Sequence, residues 1–189
     1  MAELTREEIL ARVRRGQSLA GMDLSEADLS YEDLRGVDLR DANLTDAHLQ
    51  NANLERADLR GANLTRAFLF GANLNRARLD GAVMTDANLQ DTNLEAASAV
   101  RAEMRRCALF GAHGAKANFQ GANLSEARLK RASLKGANLA GANLKGAHLE
   151  RADLSGADLR NADMRGAHVA HATMDGANTQ GALTQDLHT

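Results

Sequence analysis

Proline and tryptophan are absent from all 189 residues, cysteine occurs once, and aromatic residues make up 3% of the chain. A lone cysteine cannot close an internal disulfide, which fits a reducing compartment. No apolar run approaches the roughly 20 residues that a membrane span requires. The opening MAELTREEIL carries acidic residues and no apolar stretch, so it does not read as a secretory leader. Charge is balanced, with 23 Lys and Arg against 25 Asp and Glu and a formal net of −2. Neither a basic nucleic-acid binder nor an acidic tail protein has that balance. The expectation is a soluble cytoplasmic protein, long enough for one domain with a real core.

What the chain does contain is a repeat of five. Stepping by five from Leu24 to Met174 visits 31 positions, of which 23 are Leu and four are Met; Ala99, Gly114, Phe119 and Val169 are the exceptions. Two residues earlier stands Ala at 26 of the 31, with Met22, Glu32, Val37, Thr92 and Cys107 departing. The unit reads A-(N/D)-L-x-x, as in ADLRGANLTRA from Ala57 to Ala67. A period of five suits neither regular element. On an α-helix it rotates each successive leucine by about 140°, scattering them around the circumference. On a flat strand it flips them between faces. All leucines share one side only if the chain turns a corner once per repeat and points them at a common axis. Glycine supports such corners: 15 of the 16 glycines stand two residues after a leucine-phase position, where a positive φ is cheapest for Gly. The missing proline agrees, because stacked coils use their backbone N–H groups in ladders.

With this motif running over about residues 17–183, the chain resembles the pentapeptide-repeat proteins. The resemblance implies an all-β solenoid, a right-handed quadrilateral β-helix with four repeats per coil. Eight coils spaced by about 4.8 Å make a rod about 40 Å long.

Residues 1–16 are read as a capping α-helix, 17–183 as the β-helix and 184–189 as a tail. Thr5 and Glu8 form a capping box, with Leu4 and Ile9 as its hydrophobic staple and Gly16 as the stop. Ile9, Leu10 and Val13 then make an apolar stripe that lids the first coil. The C-terminal end offers only Leu183 and Leu187 and no lid. An uncovered coil edge invites a second copy, and the resemblance implies a homodimer through the C-terminal coil. Between Ala96 and Phe119 the repeat weakens without losing phase. Phe119 is read as filling volume that Ala99 and Gly114 vacate.

No catalytic constellation is present, and no cofactor motif. Cys107 falls at an inward position and reads as a small core residue. The Asp residues before leucine, such as Asp23, Asp28, Asp58, Asp153 and Asp158, alternate with Asn and read as turn-bonding residues. His148 and His168 stack on one side with His171 nearby, a set that could hold a metal but reads first as a solvated ladder. His48, His113 and His188 are placed outside that cluster. With 20 residues per coil, Tyr31, Phe68, Phe70 and Phe110 share the side of Leu29, Leu49, Leu69, Leu89 and Leu109, followed along the rod by Arg128, Lys130 and Arg131. Aromatic and Arg side chains are common interface anchors, so these seven are the candidate protein-binding residues. The expected function is a non-catalytic scaffold for another protein, without direct nucleic-acid or membrane binding. Two alternatives come with the resemblance. One is a DNA mimic that engages a type II topoisomerase (gyrase), for which residues 21–60 supply ten acidic and four basic residues. The other is a module of a bacterial secretion or effector assembly.

Overall fold

Each repeat has five backbone amides, and a typical repeat uses all of them. In the computed structural model, which describes residues 4–189, the repeat around Leu64 is typical. The Leu64 amide donates to the Val83 carbonyl at 2.6 Å, and the Arg66 amide to Thr85 at 3.0 Å. In the opposite direction the Asn63 amide donates to Ala42 at 2.9 Å, and the Ala67 amide closes the turn on the Leu64 carbonyl at 3.0 Å. The fifth amide, on Thr65, donates to the Asn63 Oδ1 at 3.1 Å. That last bond explains the Asn or Asp before each leucine: a short side chain with an oxygen at the right reach replaces a backbone acceptor. Proline would remove one of the five donors at any position of the unit.

Bridges join residue i to residue i+20 in parallel, from Asp23↔Asn43 to His168↔His188. Twenty residues per turn of a five-residue repeat put four repeats in each coil, so the β-helix has four sides. Leu and Ala line the axis: Leu24 to Leu89, with Met84 among them, are fully buried in their column positions, and one continuous apolar cluster runs from Ile9 to Ala167. The ladder continues through the stretch 184–189 as far as His188.

Every side meets the next at a corner with a left-handed residue. Among the described residues fifteen glycines have positive φ, and so do 20 others, including Tyr31, Ala96, Arg101 and Arg131. A left-handed conformation costs a residue with a Cβ about 1–2 kcal/mol. The surrounding ladder bonds over-determine the corner and hold it there. At some corners glycine also leaves room for its neighbour: a Cβ on Gly61 would push the Asp41 carboxylate aside, and one on Gly71 the Asn51 side-chain oxygen, each one coil away.

The irregular residues of the axis are all accommodated. Thr92 is buried and donates its hydroxyl to the Leu89 carbonyl at 2.7 Å. Cys107 is buried, its Sγ 2.7 Å from the Met84 carbonyl oxygen, and burial pushes its thiol up to about 12. That holds it in the unreactive thiol form. Phe119 is 2% exposed, and its ring reaches to 3.5 Å from where a Cβ on Gly114 would stand. The same Cβ would meet Leu134 at 3.0 Å. The large residue and the missing side chain therefore compensate in volume, and the bridges pass through this region unbroken.

Helix α1, Arg6–Arg14, closes the first coil. Thr5 and Glu8 form the expected capping box. At the other end the Gly16 amide donates to Val13 at 2.9 Å and the Gln17 amide to Arg12 at 3.0 Å, with Gly16 at φ 65°. That pairing is a Schellman stop. Ile9 is fully buried, and Leu4, Leu10 and Val13 pack on the core. Three of the five departures from inward Ala, at Met22, Glu32 and Val37, lie in the coil beneath the helix. Met22 and Val37 pack against the core there, and Glu32 pairs with Arg6 at 2.6 Å. Residues 1–3, the start of the expected capping segment, lie outside the described residues. Among the described residues no helix is long and apolar enough to cross a membrane.

Candidate functional site

The register places Tyr31, Phe68, Phe70, Phe110, Arg128, Lys130 and Arg131 on a single side of the rod, together with Leu29 through Leu149 behind them. The four rings are open to solvent, Tyr31 by 77%, Phe68 by 39%, Phe70 by 43% and Phe110 by 37%. Phe68 stacks on His48 at 4.9 Å between centroids, and the Arg131 guanidinium lies 5.7 Å above the Phe110 ring. Tyr31 stands at a corner, at φ 63°.

This side departs from the repeat in a second way. On it the residues before the leucine phase are Asp28, His48, Phe68, Asn88, Ala108, Arg128, His148, His168 and His188, so only two of nine are Asn or Asp. On the other three sides 17 of 25 are. Of the seven candidate residues Phe68 and Arg128 stand where the fold prefers a turn-bonding side chain, with four histidines and Ala108 at the other departures, and the bond that the Ser30 and Gln90 amides donate to Asp28 and Asn88 is given up at these positions. The signal is present in the sequence, but it shows only when the repeats are sorted by side.

Ala108 is the smallest residue of that column. Beside it lies a shallow groove of about 230 Å³ lined by Gln90, Phe110, Arg128, Lys130, His148 and Glu150. Lys130 approaches Glu150 at 3.4 Å and His148 Nδ1 lies 3.7 Å from the same carboxylate. Burial works to raise the Glu150 carboxyl, but its own backbone amide and the Lys130 ammonium bring it below the ordinary range. Its second oxygen is buried without a hydrogen-bond partner.

The histidines differ from expectation. His188, placed outside the cluster from sequence, belongs to it: His148, His168 and His188 form one stack, with centroids 4.5 and 4.4 Å apart. His48 lies on the same side, stacked on Phe68. His171 sits at the neighbouring corner, outside the stack. Each of these relations is a step of one coil that the 20-residue register makes evident. Burial and the flanking imidazoles lower the His168 pKa. The stack is a poor ligand set for a metal. Two nitrogens on one zinc, each at about 2.1 Å, can be no more than about 4.2 Å apart with their lone pairs converging. Rings inclined by only 7° at 4.5 Å point their lone pairs side by side.

The acidic residues of the other sides are largely neutralised in place. Asp33, Asp38, Asp58, Asp158 and Asp163 each pair with the Arg two residues on, and Asp46 and Asp86 with Arg66 and Arg106 one coil away. Hydrogen bonds from Arg40 and Ser18 hold the Asp38 carboxyl far below the usual range, and Arg165 does the same, first among its partners, for Asp163.

Comparison with known proteins agrees with this architecture. The profile for pentapeptide repeats matches in eight copies, over residues 38–76, 62–98, 77–113, 115–151 and 142–180. Among solved structures, HetL, a pentapeptide repeat protein involved in heterocyst differentiation regulation from the cyanobacterium Nostoc sp. strain PCC 7120, is 32% identical with a TM-score of 0.51, over 98% of this chain and 95% of HetL. Full-length QnrB1, a plasmid-mediated fluoroquinolone resistance protein, is 20% identical with a TM-score of 0.45, over 82% of this chain and 90% of QnrB1. A pentapeptide repeat protein from the Arabidopsis thaliana thylakoid lumen is 30% identical with a TM-score of 0.37, over 50% of this chain and 63% of its own. No curated protein sequence matches. Repeat, register and profile agree, and the chain belongs to the pentapeptide-repeat family.

Proposed function

We propose that the protein is a non-catalytic, right-handed rod that binds another protein through the side carrying Tyr31, Phe68, Phe70, Phe110, Arg128, Lys130 and Arg131. One observation carries the reading: this side replaces most of its turn-bonding Asn and Asp residues, with Phe68, Arg128 and four histidines among the seven replacements, and it also carries the exposed rings of Tyr31, Phe70 and Phe110. Exposed rings add little to the free protein, whereas covering them contributes about 25 cal/mol per Å² before the costs of association. The triple variant Phe68→Ser, Phe70→Ser, Phe110→Ser is expected to melt with the wild type and to lose the partners that wild type recovers from its native extract. Arg56→Ser and Arg76→Ser, on another side, are expected to change neither. Unimpaired recovery by the triple variant would remove the reading.

Mimicry of duplex DNA has less support. It calls for a continuous acidic surface, and the carboxylates here alternate with arginines that pair with them. A homodimer through the C-terminal coil belongs to the same proposal. Leu183 is 41% exposed there, Val169, Met174 and Leu187 are only partly covered, and among the described residues no helix lids that end. Among the described residues the amides of Met174, Gly176 and Gly181 have no backbone acceptor. Light scattering at micromolar concentration is expected to give the mass of two chains. It should give one chain after deletion of residues 175–189. A monomeric wild type, or a dimer that survives the deletion, would contradict it.

A further inference from the structure

The binding side has two unlike halves, and their order along the rod specifies a partner. From Asp28 to Gly111 this side carries no Lys or Arg, and its features are the four rings and His48. From Arg128 to Arg151 it carries Arg128, Lys130, Arg131 and Arg151 against the single carboxylate of Glu150. Elsewhere most outward arginines have a carboxylate in reach, as Arg40 has Asp38 at 2.8 Å and Arg106 has Asp86 at 2.6 Å. Among the described residues Arg128, Arg131 and Arg151 have none. Three guanidiniums without a carboxylate on one side of a rod where most other outward arginines are paired leave a local positive field. With a net charge of −2 the chain as a whole does not attract anions. A Debye length of about 8 Å confines the field to these coils.

Resting on the proposed binding side, we infer that its partner is an extended, acidic protein segment. Its apolar side chains lie on Phe68, Phe70 and Phe110, and its carboxylates lie on Arg128, Lys130 and Arg131. Three coils separate Phe70 from Lys130, about 14 Å at the usual strand spacing. An extended chain covers that in about four residues, so the carboxylates follow the apolar anchor by about that number. The Ala108 groove, bordered by Phe110 and Arg128, is where the two kinds of contact meet. Guanidinium groups favour carboxylates because two parallel N–H donors match two oxygens. A nucleic acid fits less well. Its phosphates recur at every nucleotide, and binders of single strands interleave cations with the stacking rings, whereas here phosphates over Phe68 and Phe70 would meet no cation on this side and would face Asp91.

The test titrates the full chain, by calorimetry, with a random Glu–Tyr copolymer rich in Glu, with polylysine and with oligothymidylate. Two charge variants accompany wild type: Arg128→Glu, Lys130→Glu, Arg131→Glu and the milder Arg128→Gln, Lys130→Gln, Arg131→Gln. All six changes are at exposed positions, and circular dichroism confirms the fold of each variant. The expected result is binding of the Glu–Tyr copolymer that weakens as salt rises. It should fall about tenfold or more in the Glu variant and less in the Gln variant, with no binding of polylysine. No binding of the copolymer, or equal binding by the charge variants, overturns the inference. Tighter binding of oligothymidylate overturns it in favour of a nucleic acid. If the charge variants bind as wild type while the triple serine variant still loses its cellular partners, the side is right and its acidic partner wrong. If the triple serine variant keeps those partners as well, the side itself is wrong.

Discussion

Leu64→Asp is expected to abolish the native fold, read as loss of the β-type circular dichroism spectrum and of a cooperative melt. Leu64 is fully buried, between Leu44 and Met84 in its column. A carboxylate there has no cation or donor within the apolar axis, and an unpaired buried charge costs several kcal/mol. The lost leucine adds about 2–5 kcal/mol. Together they match the whole stability of an ordinary domain, about 5–15 kcal/mol. In a solenoid each coil is supported mainly by its neighbours, so a break in mid-rod is felt on both sides. Leu144→Asp, fully buried in the same column farther along, should behave alike. The control is Asn63→Asp, one residue away and facing out. Aspartate already fills the equivalent place at Asp58 and Asp158, where its Oδ1 accepts the amide two residues on. That variant should fold and melt as wild type. A wild-type spectrum and melt in Leu64→Asp would contradict the inward assignment.

Deleting residues 1–16 is expected to lower the melting temperature and cause aggregation, with the β spectrum largely kept. The helix places Ile9 fully inside the cluster and packs Leu10 and Val13 on it, and Arg6 holds Glu32. Its loss uncovers Leu19 and Leu24, fully buried in the intact chain, and leaves Met22 and Val37 facing water. Burial of one such side chain contributes about 1.5–3 kcal/mol, and each kcal/mol shifts the melt of a chain this size by about 2–4 °C. A fall on the order of 10 °C follows. The ladder bonds of later coils do not involve the helix, so the spectrum survives. A truncated chain that stays soluble and melts with wild type would show that the helix is not a lid.

Inward Leu and Ala were legible because their chemistry recurs every five residues and admits only one side for burial. The capping box of Thr5 and Glu8 was legible because it is made within four residues. The Asx role of residues such as Asp58 was legible for the same reason. The shared side of Tyr31, Phe68, Phe70 and Phe110 followed once four repeats per coil were assumed, an assumption that the resemblance supplied. His188 stands apart from His168 in the sequence, although it is one coil away. The glycine pattern points to left-handed corners at glycine, yet among the described residues 20 others adopt them.

The sequence by itself determined that the chain coils, which residues face the axis and where the N-terminal lid begins, since each follows from a local pattern of size and polarity. Only the tertiary structure decided which repeats are neighbours. A five-residue repeat has the same local chemistry whatever the number of sides. The register of 20 comes from how corner geometry and the stacked leucines close a turn together, summed over four repeats. That closure brings His48 onto Phe68, Arg131 over Phe110 and His188 onto His168, and it sets the helix over Met22, Glu32 and Val37. Residues 20 apart in the chain become contacts only after the whole coil has formed, so no local rule could place the candidate side.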